Sequence, residues 1–246
     1  MLPVELSEAA RRTLDQLWST CLDLGRFPEA DEVDNSADID VHCGGLRKGL
    51  RSIVQLFDQS LLEVASKTRA DDLKLYLAAQ RFAKRRQFGT LERRLQRDVK
   101  QFFGSYAAAQ QAGLKLLVEA SDPANLLSAC QEAAANGLGC MLGGRHSLQV
   151  HISLVERLPA VLRAFVACGL MLWDATSDVQ LIKIHVDSGK LTLLEYDHFD
   201  QSPLPLLRRR IKVNIRKLDY EIFEYGSSPI HLSIDFIFTE GRGLFT

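Results

Sequence analysis

The chain has 246 residues, 46% of them apolar and 25% charged, with 30 basic side chains against 31 acidic ones and a net charge of -1. That composition excludes a chain too polar to bury a core and a protein basic throughout, and it fits a folded domain. The longest nearly unbroken apolar run, Ala164 to Trp173, is far short of the roughly 20 residues a bilayer span needs, so no membrane partner is expected.

In chain order, Met1 to Glu5 lacks the basic and apolar stretches of a secretory signal, and the five cysteines (Cys21, Cys43, Cys130, Cys140, Cys168) are scattered with no C-x-x-C pair. Reduced thiols and a cytoplasmic location are expected. Ser7 to Leu24 carries Leu14, Leu17, Trp18, Cys21 and Leu24 at helical spacing, with Gly25 as the stop. Pro28 to Gly45 is acidic, poor in large apolar residues, and expected to be a loop or linker. Residues 46–66 return to helical spacing, and Ala70-Asp71-Asp72 opens a further helix. Phe88-Gly89 interrupts it, and Thr90 is the expected cap of a helix with the stripe Leu91, Leu95, Val99 and Phe102. Two more helices are expected over residues 105–119 and 123–135, followed by a glycine-rich loop from Asn136 to Gly144.

Beyond that loop the period changes. Residues 148–152 alternate weakly, and 159–173 form a strongly apolar helix. Residues 179–186 and 191–196 then alternate about Asp187-Ser188-Gly189-Lys190, a hairpin turn in which Gly189 supplies the positive φ. With Val186 opposite Leu191, Ile182, Ile184, Val186, Leu191 and Leu193 form the core face. Lys183, His185, Thr192, Leu194 and Tyr196 form the face turned to solvent or a partner. A short helix is expected over 203–210, with strands over 211–215, 219–225 and 230–238. The fold class is therefore α+β, a helical N-terminal body followed by a small antiparallel β-sheet of four or five strands. Its expected divisions are a helix and acidic linker at 1–45, a helical body at 46–173, and a β subdomain at 174–246.

The near-zero net charge conceals polarity. Residues 1–45 hold ten acids against three arginines, whereas residues 67–101 hold eleven bases against four acids. The basic segment, with Arg85, Arg86, Arg93, Arg94, Arg97 and Lys100, is a candidate surface for DNA. The competing possibility is that the acidic arm simply lies against these helices. A second candidate surface combines Lys183, His185 and Lys190 with Arg208, Arg209, Arg210 and Lys212, cations alternating with buried Ile211 and Val213.

Enzymatic motifs are weaker. Gly137 to Gly144 invites a cofactor-loop interpretation but follows a helical stretch rather than a buried strand, and P-loop, H-E-x-x-H and G-x-S-x-G patterns are missing. Glu195, Asp197, His198 and Asp200 are the densest group of metal-ligand types, better explained as a polar loop after a hairpin. No metal is expected, and no catalytic residue is identified.

Several segments, taken in order, resemble a known family: Leu24-Gly25-Arg26-Phe27-Pro28, Asp71 to Phe82, Phe88-Gly89-Thr90-Leu91, Asp98 to Tyr106, Val150-His151-Ile152-Ser153, Leu181 to His185 with Ser188-Gly189-Lys190, and Tyr196-Asp197-His198-Phe199-Asp200. Their order and spacing over residues 24–229 resemble the C-terminal region of the DNA phosphorothioation-associated methyltransferases. The resemblance implies a bacterial protein tied to DNA backbone sulfur modification and its linked restriction systems. The methyl-donor domain of longer family members lies upstream of the matched region. The resemblance therefore implies an accessory or DNA-binding module without its own cofactor, partnered by proteins of the phosphorothioation system or by a separate methyltransferase domain. Two alternatives are an S-adenosylmethionine-dependent DNA methyltransferase whose donor site is unconventional or borrowed, and a remnant with a purely protein-protein role.

Overall fold

The computed structural model describes residues 7–82, 86–144, 146–173, 178–226 and 230–231. It is α+β, with helices first and one antiparallel sheet after them. The chain forms two compact units, one of residues 1–76 with 85–111 and the other of residues 77–84 with 112–246.

In the first unit, α1 (Glu8–Leu24) starts where the Ser7 hydroxyl accepts the amide of Ala10 at 3.2 Å and stops at Gly25, whose φ of 64° is left-handed. Gly25 is required for a second reason. A Cβ there would lie 2.9 Å from the carbonyl oxygen of Ala65 on α4 (Gln59–Ala79), so only a bare backbone admits this contact. The apolar stripe of α1 is buried as its spacing demands. Leu14, Leu17, Trp18 and Cys21 join Ile39 and Ile53 in one core, and Trp18 stacks on Phe57 with ring centroids 5.2 Å apart.

Ile39 belongs to the segment expected to be a linker. Residues 28–45 instead contain a 3-10 turn, Ala30–Glu32, and the helix α2 (Ser36–Cys43), which packs on α1 and on α3 (Leu46–Leu56). One buried isoleucine per helix is too sparse a signal for periodicity to register. Further along, Phe88–Thr90 is a 3-10 turn, and Glu92 rather than Thr90 precedes α5 (Arg93–Phe103). The Thr90 hydroxyl is spent on the carbonyl of Gln87 at 2.8 Å.

In the second unit, α7 (Pro123–Ala135) follows α6 (Tyr106–Ser121), which begins in the first unit, and α7 is capped by Asp122 with proline at its first turn. The sheet runs in the order β1 (Cys140–Leu142), β2 (Ser147–His151), β3 (Leu181–His185), β4 (Lys190–Asp197), β5 (Leu206–Asn214) and β6 (Asp219–Glu224), with the two-residue β7 (Ile230–His231) also paired to β5. Among the described residues, six strands in the main order and the two-residue β7 therefore replace the expected four or five. The supposed glycine-rich loop supplies β1, and Gly139 precedes it because a Cβ there would meet the carbonyl oxygen of Gln149 at 2.5 Å. Beyond Ile230 and His231, the last expected strand lies outside the described residues.

The β3–β4 register differs from expectation by two residues. His185 pairs with Lys190 and Ile184 with Leu191, while Gly189 adopts a φ of 61°. A slip of two leaves every side chain on its expected face. Ile182, Ile184, Leu191 and Leu193 are all fully buried, and α8 (Ala160–Leu170) rests Gly169 on Leu191 from that side. Expected to be helical, residues 206–210 are instead the first half of β5, whose pairing with β4 shifts register between Glu195 and Tyr196. The irregularity hides the alternation that would have marked a strand.

Candidate functional site: which cations are committed and which are open

In the first unit the basic segment is largely neutralised from within. Asp98 on α5 is fully buried and accepts hydrogen bonds from Arg26 Nε at 2.8 Å and from Arg69 Nε and a terminal nitrogen at 3.0 and 2.8 Å. Arg26 turns its other edge to Glu32 in a two-pronged pair at 2.7 and 2.8 Å. That guanidinium, opposed by burial, holds the Glu32 carboxyl down at about 2. Arg97 closes the network, 2.8 Å from Asp31 and 3.3 Å from Glu32. Hydrogen bonding to Arg97 lowers the pKa of Asp31 and raises that of Arg97. The acidic segment thus lies against the basic helix through the 3-10 turn that carries Asp31 and Glu32. Arg94 donates to the carbonyl of Asp23 in the last turn of α1.

Of the residues proposed for DNA from this segment, Arg94 and Arg97 are committed to internal partners. Arg86 and Arg93 are exposed. Lys100 is exposed with its ammonium 6.0 Å from the Phe88 ring centroid. Arg85 lies outside the described residues.

The second unit repeats the pattern at one corner. Glu195, 1% exposed, accepts from Arg208 at 2.9 Å and Arg209 Nε at 2.8 Å, and Arg208 also holds Asp178 at 2.9 Å. Hydrogen bonds to Asp178 and Glu195 raise the pKa of Arg208. The supposed metal-ligand group is therefore divided by an ion pair, with Glu195 an internal counterion. Among the described residues no cluster of three or more ligand-type side chains forms. Arg210 lies 4.8 Å from the ring centroid of Phe223 and 5.6 Å from that of Tyr225.

Lys183, His185, Lys190 and Lys212 differ from these arginines. Lys183 pairs across the sheet with Thr192, Thr192 with Lys212, and His185 with Lys190, so the four cationic or basic groups share the face opposite α8. No ion pair engages the three lysines among the described residues, although Glu221 and Asp219 stand opposite Lys212 and Asn214 on the edge strand. Lys212 covers Phe223 at 5.0 Å. His185 contacts the Thr192 hydroxyl at 3.0 Å through Nε2.

Burial first, and then the charges of Lys183, Lys212 and Lys190, lower the His185 pKa from 6.5 to about 4. The face is a site of positive potential able to take an anion. A folded-state pKa below the unfolded one means that the unfolded chain takes up the proton first. Stability is thus full above pH 6.5 and falls as the pH drops towards 4. Between pH 7 and pH 5 the midpoint of urea unfolding should fall by the equivalent of roughly 1–2 kcal/mol, and His185→Gln should remove most of that fall.

The glycine run at 137–144 is accounted for by antiparallel pairing of β1 with β2. A methyl-donor loop needs a strand-to-helix turn in a parallel unit, so these residues do not fit that group. Burial pushes the thiols of Cys21 and Cys130 up to about 12, which disfavours their thiolate forms near neutral pH. Among the described residues, no helix is long and apolar enough to cross a membrane.

No family model, curated protein or solved structure matches this chain.

Proposed function

We propose that this chain is a non-catalytic accessory module that binds DNA through the β3–β4–β5 face. The observation that supports it is the juxtaposition of Lys183, Lys190 and Lys212 around His185, with no ion pair to a carboxylate among the described residues. Three lysines spaced across adjacent strands match the repeated charge of a phosphate backbone, which a flat cationic face contacts without reading sequence. The resemblance of several segments to the phosphorothioation-associated family supports a role in a bacterial DNA-modification or restriction system, with proteins of that system as partners.

The test is fluorescence anisotropy on a labelled duplex at low salt. Replacing Lys183, Lys190 and Lys212 together by glutamine should weaken binding by at least about thirtyfold, as loss of several phosphate contacts requires. Arg97→Gln or Arg208→Gln should change affinity less than about threefold, because those side chains already hold carboxylates. Absence of duplex binding at low salt would exclude the DNA reading.

A further inference from the structure

Within the first unit an open groove of about 850 Å³ is bounded by residues 27–30, by Gly44 and Gly45, by the first turns of α3, and by Gln101 of α5. The volume lies in the range of small-molecule sites. Arg47, Lys48 and Arg51 are exposed, and none has an ion pair among the described residues. This sets them apart from Arg26, Arg69 and Arg97 of the same unit, each held by carboxylates.

Arg47 and Arg51 are four apart on α3 and so share a face. Lys48 folds back towards the turn, and a Cβ on Gly44 would lie 3.3 Å from its ammonium nitrogen. Gly44 and Gly45, with φ of 70° and 104°, lead into α3, whose first turn has no side-chain cap. The amides of Lys48 and Gly49 are already bonded to the carbonyl of Gly45 at 3.1 and 3.0 Å, so the three cationic side chains are the donors the groove offers an anion. The groove wall also includes Phe27, 41% exposed, together with Glu29 and Gln101.

We infer that this groove binds a nucleotide, with phosphate on Arg47, Lys48 and Arg51 and the base against Phe27. The cations suit a phosphate-bearing ligand, the exposed aromatic ring supplies a stacking surface that a bare phosphate cannot exploit, and the glutamine amide is suited to base or ribose hydrogen-bonding groups. The same chemistry is presented by a free nucleotide and by a residue of single-stranded nucleic acid. The inference is independent of the sheet face, which belongs to the other unit.

Isothermal titration of the full chain with ADP, with inorganic pyrophosphate and with a short single-stranded oligonucleotide tests it. Saturable binding of ADP or the oligonucleotide is expected, at least tenfold tighter than pyrophosphate. The better of the two identifies the source. Arg47→Gln with Arg51→Gln should weaken that binding by at least about tenfold, and Phe27→Leu should weaken it several-fold while leaving pyrophosphate unaffected. Thermal melting of each variant confirms that the fold is retained. Replacement of Lys183, Lys190 and Lys212 should leave ADP binding unchanged, which separates this inference from the sheet-face reading. No saturable binding of either nucleotide probe, or nucleotide binding no tighter than pyrophosphate and indifferent to Phe27, would overturn it.

Discussion

Asp98→Ala is expected to destabilise the first unit by about 3–5 kcal/mol, the usual consequence of leaving a buried charge without its counterion. The carboxylate is fully buried and accepts three hydrogen bonds, one from Arg26 and two from Arg69. Arg26 is only 6% exposed, so once Asp98 is gone it keeps Glu32 but has an unpaired edge with no route to water. Arg69, with its side chain 26% exposed, recovers part of its hydration. Asp98→Asn should be milder. Its oxygen still accepts from one guanidinium, but its amide hydrogens face the other. Urea unfolding followed by Trp18 fluorescence checks both, because Trp18 lies in the core of the same unit. A loss under 1 kcal/mol for the alanine variant would show that water reaches the network freely.

Glu195→Ala should have the next largest effect, about 2–3 kcal/mol, by the same reasoning. The side chain is 2% exposed and compensates two arginines, yet Arg208 and Arg209 are 40% and 28% exposed and can turn partly outward. Glu195→Gln should recover about half of the loss, since its oxygen can accept from one arginine at a time. The position matters for the sheet because Glu195 sits where the β4–β5 register shifts. Its ion pairs hold Arg209, its partner across the ladder, and Arg208, the residue that the shift skips. Circular dichroism melting of the two variants is sufficient to rank them.

Both substitutions concern charges whose role sequence alone did not reveal. The basic character of residues 67–101 was visible, and so was the possibility that acids lie against it. Nothing in the spacing connects Asp98 to Arg26 or Arg69, which are distant in sequence and brought together by packing. Glu195 looked like part of a metal-ligand group because its neighbours Asp197, His198 and Asp200 share its chemistry. Burial, which spacing cannot report, makes it a counterion instead.

Elements with a strong period were legible. The α1 stripe and the division of β3 and β4 into an apolar and a basic face follow from periods of 3.6 and 2. Faces repeat every two residues, so an error of two in register left each side chain on its side of the sheet, but Thr192, Leu194 and Tyr196, expected towards solvent or a partner, are buried, the last two in a second core with Leu181 and Leu207. Weakly patterned elements were not legible. Helix α2 buries only Ile39, strand β1 has three residues between glycines, and the run Arg208 to Arg210 crosses an irregular part of β5 where alternation fails. Arg47, Lys48 and Arg51 were passed over because they fall between the acidic and basic windows. The available signal was the Gly44-Gly45 pair directly ahead of a basic helix turn.

The acidic segment also changes meaning. Deleting residues 1–45 would be expected to strengthen polyanion binding if they formed a detachable shield. Leu14, Leu17, Trp18, Cys21 and Ile39 are core residues, so that deletion removes the core itself. Asp31→Asn with Glu32→Gln is the appropriate substitution for releasing Arg97, and it leaves those apolar residues in place.

The half-buried lysines of the sheet face, which hold no carboxylate among the described residues, are expected to meet the phosphate backbone in place of the ion-paired arginines. The salt dependence of duplex affinity tests it most directly, since each neutralised phosphate contributes about -0.9 to the slope of log affinity against log salt. With Lys183, Lys190 and Lys212 replaced by glutamine, the slope should become shallower by about 2–3. With Arg97 and Arg208 replaced it should stay the same. An unchanged slope in the lysine variant, or a loss confined to the arginine variant, would contradict the account.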